Sequence, residues 1–219
     1  MSAPVPSPTL KSALATYFEE NGFGPDGGYS SNWVDFMLGP IPFPFPNTPA
    51  RKRAVRYHDL HHLLTGYRTD VRGEFEISAW EIGSGCRDFV AAWQLNLSGM
   101  AGGVFLCPRR TFRAFLRGRR SENFYGRSYD DALLATRVAE ARTELGVDRP
   151  LPPPTVLDVL LFVAAAASGL VLGLAFLAVC APLALVAYPF LVAARRAPRP
   201  APHCASVQPG DSEQSAAGT

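Results

Sequence analysis

Apolar residues recur at helical spacing through most of the chain between positions 10 and 145. Leu10, Leu14 and Phe18, for example, follow one another every fourth residue and predict a helix over 10–20. The strict alternation of apolar and polar residues that marks a half-buried strand is scarce. The pattern therefore predicts an all-α fold, with further helices over 49–65, 74–82, 88–101, 111–116 and 131–145.

The segment between the first two predicted helices is not helical throughout. Residues 21–31 are rich in glycine and predict a loop, while 33–38 are short enough for a single helical turn. Proline alternates with Ile or Phe from Pro40 to Pro46, and proline both lacks the amide hydrogen and restricts the residue before it. We expect residues 39–49 to form an extended, apolar strap over the helical domain.

A long apolar segment follows the helical domain. Residues 156–194 carry one charged side chain, Asp158, and a bilayer core needs only about 20 helical residues. This length fits two spans, and Ser168, Gly169 and Gly173 predict the turn between them. Arginines flank both ends of the segment, and flanks that carry arginine tend to stay in the cytoplasm. This favours a hairpin with both flanks cytoplasmic. The alternatives are one long tilted span and a buried helix pair. The predicted organisation is a disordered tail (1–9), a helical domain (10–151), a transmembrane hairpin (155–194) and a second disordered tail (195–219).

Composition narrows the function classes. The formal net charge of the 219 residues is +2, which does not favour nucleic-acid binding. Arginine clusters, such as 51–53 and 117–120, suit an anionic membrane surface or an anionic substrate, or form a solvated face. The four cysteines are widely spaced and the N-terminus lacks a secretory signal. We therefore expect a bacterial inner-membrane protein whose helical domain is cytoplasmic.

The strongest chemical signal is the run from His58 to His62, followed after eleven residues by Glu74. On a helix of about 3.6 residues per turn, His58, Asp59 and His62 project within an arc of roughly 100°. Imidazole and carboxylate groups bind zinc, and the same set also suits ferrous iron. The spacing predicts that His58, Asp59, His62 and Glu74 hold one divalent ion. His61 points away and is expected at the surface or behind the ligands.

The run also has the spacing of the H-E-x-x-H metalloprotease motif. In that motif the residue after the first histidine is a glutamate that acts as general base. Asp59 is one methylene shorter, which suits ligation better than proton abstraction. A membrane metallohydrolase is therefore the least favoured of the enzymatic interpretations.

The sequence His58-Asp59-Leu60-His61-His62, then eleven residues, then Glu74 resembles the signature of the ubiquinone biosynthesis protein four family. The resemblance extends to Gly73 before the glutamate and to the helix that ends at 142–147, and covers roughly residues 11–152. It implies an all-α, zinc-binding protein at a membrane. The implied activity is removal of the carboxyl group from carbon one of a 4-hydroxy-3-methoxy-5-polyprenylbenzoate. This decarboxylation either occurs alone or is coupled to hydroxylation of the same carbon.

The resemblance also implies partners and leaves one alternative open. The implied partners are the polyprenylated benzoquinone precursor, membrane lipid and other enzymes of quinone synthesis. The alternative is a non-catalytic, membrane-anchored scaffold subunit in which the ion is structural. No residue is assigned as a catalytic acid or base or as a substrate ligand. The apolar segment after residue 155 departs from the family, whose usual members end near the equivalent of 142–147.

Overall fold

The computed structural model describes residues 7–38 and 41–196. Helices dominate this part of the chain, as the pattern predicts, and a two-stranded sheet and one 3₁₀ turn (Phe124–Gly126) complete it. The helices are α1 (Leu10–Asn21), α2 (Pro49–Thr65), α3 (Val71–Ser84), α4 (Val90–Leu106), α5 (Pro108–Arg119), α6 (Asp131–Ala135), α7 (Val138–Glu144) and α8 (Val156–Arg196); the strands are β1 (Trp33–Leu38) and β2 (Ile41–Pro46).

Local capping fixes the two ends of α2, the helix that carries the histidines. The Thr48 hydroxyl accepts a hydrogen bond from the Arg51 amide at 3.3 Å, and Pro49 occupies the first turn, where no intrahelical amide bond is needed. Gly66 ends the helix in the left-handed conformation, with φ of 72°. Both predicted ends of this helix are confirmed.

The prediction of a helical turn over 33–38 is wrong, because these residues form β1. Trp33 pairs with Pro46 and Leu38 with Ile41 in an antiparallel register. Successive amides of a strand point to alternate sides. The nitrogens of the prolines at 42, 44 and 46 therefore lie on one side of β2, and because the Asn47 amide donates to the Asn32 carbonyl, that side is the one away from β1. Residues 41–46 of the strap are extended as expected, and strand pairing accounts for their conformation; residues 39 and 40 lie outside the described part of the chain.

The single helix predicted over 131–145 is divided into α6 and α7. Thr136 adopts an extended conformation, with φ −64° and ψ 141°, and interrupts the helix. Its carbonyl accepts the Leu10 amide at 2.8 Å, and the Pro8 carbonyl accepts the Val138 amide at 3.0 Å. Residues 7–9, expected in a disordered tail, are thus paired with the chain between α6 and α7. Positions 1–6 of that tail and 197–219 of the other lie outside the described residues.

Helices α3, α4 and α5 pack on one another, and α2, the helix that carries the histidines, contacts α3 and α4. Gly118 of α5 meets the backbone of α3 so closely that a Cβ would lie 2.1 Å from the Trp80 carbonyl oxygen. Trp80 itself is fully buried, and its indole N–H donates to the Ser121 hydroxyl at 3.0 Å. The backbones of α3 and α5 therefore touch directly, which holds α3 and its carboxylates rigidly.

The predicted transmembrane hairpin is not what the structure contains. Helix α8 continues without a turn through Ser168, Gly169 and Gly173, and residues 156–179 are long and apolar enough to cross a membrane. The Ser168 hydroxyl donates to the Ala164 carbonyl within the helix. Gly169 lies against α4, where a Cβ would be 2.0 Å from the Leu97 carbonyl oxygen. Here the small residues allow close helix packing instead of a turn.

The start of α8 is anchored to the helical domain by charge. Thr155 and Asp158 form a reciprocal capping pair, in which each side chain accepts the other's amide. Asp158 is 1% exposed and also accepts from the guanidinium groups of Arg119, at 3.3 Å, and Arg120, at 2.8 Å. Phe162 packs edge-on against Phe112 of α5. The first two turns of α8 are therefore held against the end of α5.

Two glycines in α8 provide a matched test of this packing. Gly169→Ala is expected to destabilise the domain by about 1–3 kcal/mol, because the new methyl group overlaps the backbone of α4. Gly173→Ala makes the same substitution where a Cβ would only approach the Ser98 hydroxyl, at 4.0 Å, and should leave stability unchanged or raise it slightly. Thermal unfolding of the detergent-purified chain measures both; equal behaviour of the two variants would contradict this packing.

Candidate metal centre

Helices α2 and α3 bring together two histidines and one glutamate. The Nε2 atoms of His58 and His62 are 3.2 Å apart, as their i, i+4 spacing on α2 predicts. Glu74 faces them from α3, with Oε2 3.3 Å from His58 Nε2 and Oε1 3.4 Å from His62 Nε2. With one ligand atom taken from each residue, all three lie within 4.8 Å of one another, so this cluster could hold a metal ion.

The sequence before Glu74 explains how that carboxylate reaches the histidines. The Asp70 side chain caps α3 by accepting the Gly73 amide at 2.9 Å, which places Glu74 in the first turn. At Gly73 a Cβ would lie 2.0 Å from the Arg68 carbonyl oxygen. Only glycine fits this approach of the chain to itself.

The outer ring nitrogens of both histidines are occupied by hydrogen bonds. His62 Nδ1 faces the Tyr67 carbonyl oxygen at 2.9 Å, and since a carbonyl only accepts, this nitrogen carries a hydrogen. His58 Nδ1 faces the carboxylate of Glu81 at 2.9 Å and donates in the same way. In the neutral imidazoles both Nε2 lone pairs then point into the space beside Glu74. Donation of the remaining ring hydrogen to an oxygen is the usual arrangement of metal-bound histidine.

The separations between these atoms suit an ion of zinc size. Ligand atoms about 2.1 Å from a tetrahedral zinc ion are about 3.4 Å from one another. The 3.2 Å between the two histidine nitrogens and the 3.3 and 3.4 Å between them and the Glu74 oxygens are close to that value. A positive charge between these groups, either a metal ion or a proton on one imidazole, would relieve the repulsion between two converging lone pairs and a carboxylate. The donor set therefore fits a divalent ion.

Glu81 is a buried carboxylate that the sequence analysis missed. It is 0% exposed, and Oε1 accepts from His58 Nδ1 at 2.9 Å and from His61 Nδ1 at 2.8 Å. Oε2 accepts from the Tyr125 hydroxyl at 2.5 Å and from the Asn96 amide. Four donors thus use all four lone pairs of the carboxylate. The one available signal was its position seven residues after Glu74, which places both acids on the same face of α3.

His61 lies behind the ligands, and the alternative expectation of a surface position is wrong. Its ring is 0% exposed, with Nε2 accepting the Phe124 amide at 3.0 Å. The other nitrogen therefore carries the hydrogen that it donates to Glu81. Burial lowers the pKa of His61 despite that carboxylate, so the ring is neutral. His61 and His58 share one oxygen of Glu81, which couples the orientation of the ligand to the core.

The structure does not place Asp59, the fourth predicted ligand, among the three converging groups. Asp59 is 6% exposed, and its carboxylate accepts the Tyr29 hydroxyl at 2.5 Å. Burial raises the pKa of Asp59, although the neighbouring imidazoles of His58 and His62 oppose that rise. Asp59 therefore lies near the histidines but is directed to the loop that contains Tyr29. That it also binds the ion stays a prediction.

The electrostatics of the site favour a positive charge between the carboxylates. Burial alone would lower the pKa of His58, but Glu81 and Glu74 raise it well above its ordinary value. Burial opposes ionisation of Glu74 too, yet His58 and His62 lower its pKa to about 2. The pKa of Glu81 is likewise lowered against its burial. The pocket thus stabilises one positive charge, whether a proton or an ion carries it.

One side of the cluster is open. The Glu74 side chain is 41% exposed and that of His58 21%, whereas that of His62 is 2% exposed. The Tyr17 ring stacks on His62 with centroids 5.6 Å apart, and burial raises the pKa of its hydroxyl, which therefore stays protonated. An ion held by these three side chains alone would be accessible to another molecule from the side beside Glu74.

No protein-family model, curated protein or solved structure matches this chain. The fold and the histidine-glutamate cluster are therefore established by the structure alone. The resemblance to the ubiquinone biosynthesis protein four family stays a prediction.

Proposed function

We propose that this chain is a membrane-attached, metal-dependent carboxy-lyase of ubiquinone biosynthesis. Its substrate would be a 4-hydroxy-3-methoxy-5-polyprenylbenzoate, and its ion, zinc or ferrous iron, would be held by His58, His62 and Glu74. The observation that carries the proposal is the convergence of these three side chains with one side open. The apolar helix α8 would keep the enzyme at the bilayer in which a polyprenylated substrate resides.

The chemistry needs a group that withdraws charge and a source of a proton. A divalent ion supplies Lewis acidity to a carboxylate or phenolate oxygen. Loss of carbon dioxide breaks the bond between carbon one and the carboxyl group and leaves the electron pair on the ring, where it must take up a proton. Because burial raises the pKa of the Tyr17 hydroxyl and makes it a poor proton donor, we assign this proton to solvent that enters beside the partly exposed Glu74 carboxylate.

Solvent access to the cluster beside Glu74 supports catalysis over the alternative of a scaffold subunit. The alternative has one observation in its favour: His58 and His61 share the buried carboxylate of Glu81. An ion bound to His58 and Glu74 would also tie α2 to α3. The two functions differ in what happens when the ion is lost from a folded protein.

Complementation separates the two functions. In a bacterial strain that lacks the decarboxylation step, the wild-type chain is expected to restore ubiquinone. Glu74→Gln should leave the chain folded and in the membrane fraction, but the strain should accumulate the carboxylated prenylbenzoate. Normal quinone levels with an ion-free Glu74→Gln protein would contradict the lyase and favour the scaffold. Failure of the wild type to restore ubiquinone would contradict both.

A further inference from the structure

A second polar site lies on the side of α5 that faces away from the core. A cleft of about 770 Å³ is lined by four arginines, Arg110, Arg113, Arg117 and Arg149, and two acids, Glu76 and Asp148. We call it the arginine cleft. Its charged lining sums to +2, and its remaining lining includes Tyr67, Pro150 and Leu151.

Two of these arginines already bind other groups of the helical domain. The Arg110 guanidinium binds both carboxylate oxygens of Glu76, at 3.0 and 2.5 Å. Arg117 donates to the carbonyl oxygens of Val147, at 3.0 Å, and Thr65, at 2.9 Å. These groups build the wall of the cleft and leave the excess positive charge to the other two arginines.

Arg113 and Arg149 carry that excess charge. Both are exposed, and neither forms an ion pair with any residue in the described ranges 7–38 and 41–196. Arg149 is nonetheless positioned, because its side chain folds over Gly146, where a Cβ would lie 2.6 Å from the guanidinium Nε. Two guanidinium groups that face one cleft without a carboxylate partner form a receptor for an anion with several oxygens, such as phosphate.

The position of the cleft indicates where that phosphate comes from. Leu151 is five residues before Val156, so the cleft lies within about 18 Å of the first residue of α8. From that point α8 exposes apolar side chains, with Val156 77% and Leu160 61% exposed. Helix α4, which packs on α8, has no charged residue and exposes Phe105. The cleft is thus near the start of this apolar surface, the level at which lipid head groups would lie.

We propose that the arginine cleft binds the phosphate head group of an anionic phospholipid, such as phosphatidylglycerol. Basic pockets beside membrane helices recognise such head groups by charge and by bidentate guanidinium hydrogen bonds. This site is separate from the metal cluster and does not depend on the proposed lyase activity. It would set the depth and orientation of the domain on the membrane.

Native mass spectrometry of the full chain in a neutral detergent tests this proposal. The protein is offered equal amounts of phosphatidylglycerol and phosphatidylcholine with the same acyl chains. The wild type is expected to retain phosphatidylglycerol preferentially. Because one basic residue at an anionic surface contributes about fivefold, Arg113→Gln with Arg149→Gln should lower the preference roughly 30-fold.

The matched control removes the same charge elsewhere. Arg72→Gln with Arg87→Gln replaces two exposed arginines outside the cleft and should keep the wild-type preference. Circular dichroism checks that both double variants are folded. Equal retention of the two lipids by the wild type, or an unchanged preference in the cleft variant, overturns the proposal. Displacement of bound phosphatidylglycerol by an equimolar concentration of inorganic phosphate also overturns it and assigns the cleft to a free anion.

Discussion

Glu74→Gln is expected to lower the affinity of the full chain for zinc by more than about 100-fold. Loss of a residue that only hydrogen-bonds to a ligand typically lowers metal affinity by about 10–100-fold, so a ligand should cost more. The amide keeps the size of the side chain but removes the negative charge that faces His58 and His62. Equilibrium dialysis of the purified protein against a zinc-buffering chelator measures the affinity.

Asp59→Asn is the matched control for this substitution. It makes the same change from carboxylate to amide one residue after His58, in a side chain that accepts from Tyr29. We expect it to alter zinc affinity by less than about tenfold, because Asp59 is not among the three converging groups. A loss as large as that of Glu74→Gln would make Asp59 a ligand and restore the four-residue set predicted from the sequence.

Glu81→Ala is expected to destabilise the protein by about 3–5 kcal/mol. The substitution leaves four donors without their acceptor, three buried ones from His61, Asn96 and Tyr125 and the partly buried His58, and it opens a cavity. Denaturant unfolding of the detergent-purified chain, followed by circular dichroism, measures the loss.

Glu144→Ala serves as the control for this loss. Glu144 is also a helical glutamate, but it is 57% exposed and pairs with Arg127 at the surface. Removing it should cost no more than about 1 kcal/mol. Similar stability of the two variants would contradict the view that the Glu81 network supports the metal ligands.

The features that the sequence predicts well are those set by neighbouring residues. The ends of α2 depend on Thr48, Pro49 and Gly66, and each acts within one turn of its own position. The pairing of His58 with His62 follows from helical geometry alone. The approach of Glu74 depends on Gly73, also a local feature, so these parts of the site are accessible to sequence reasoning.

The features that the sequence did not predict depend on distant partners. Glu81 is satisfied by donors from α2, α4 and the 3₁₀ turn, which no spacing rule links to it. Gly169 is in contact with α4 instead of forming a turn, and only the packed structure reveals this. Asp59 shares the helical arc of the ligands, yet a hydrogen bond from Tyr29, thirty residues earlier, directs it elsewhere.

X-ray absorption at the zinc edge of the purified, zinc-loaded full chain tests the central claim most directly. The account predicts two imidazole nitrogens and one carboxylate in the first shell at about 2.0–2.2 Å, with an exchangeable oxygen ligand completing the site. The histidine signal should disappear when His58 and His62 are replaced together by alanine. A zinc shell that contains sulfur, or one that is unchanged in that double variant, would contradict the claim that this cluster is the metal centre.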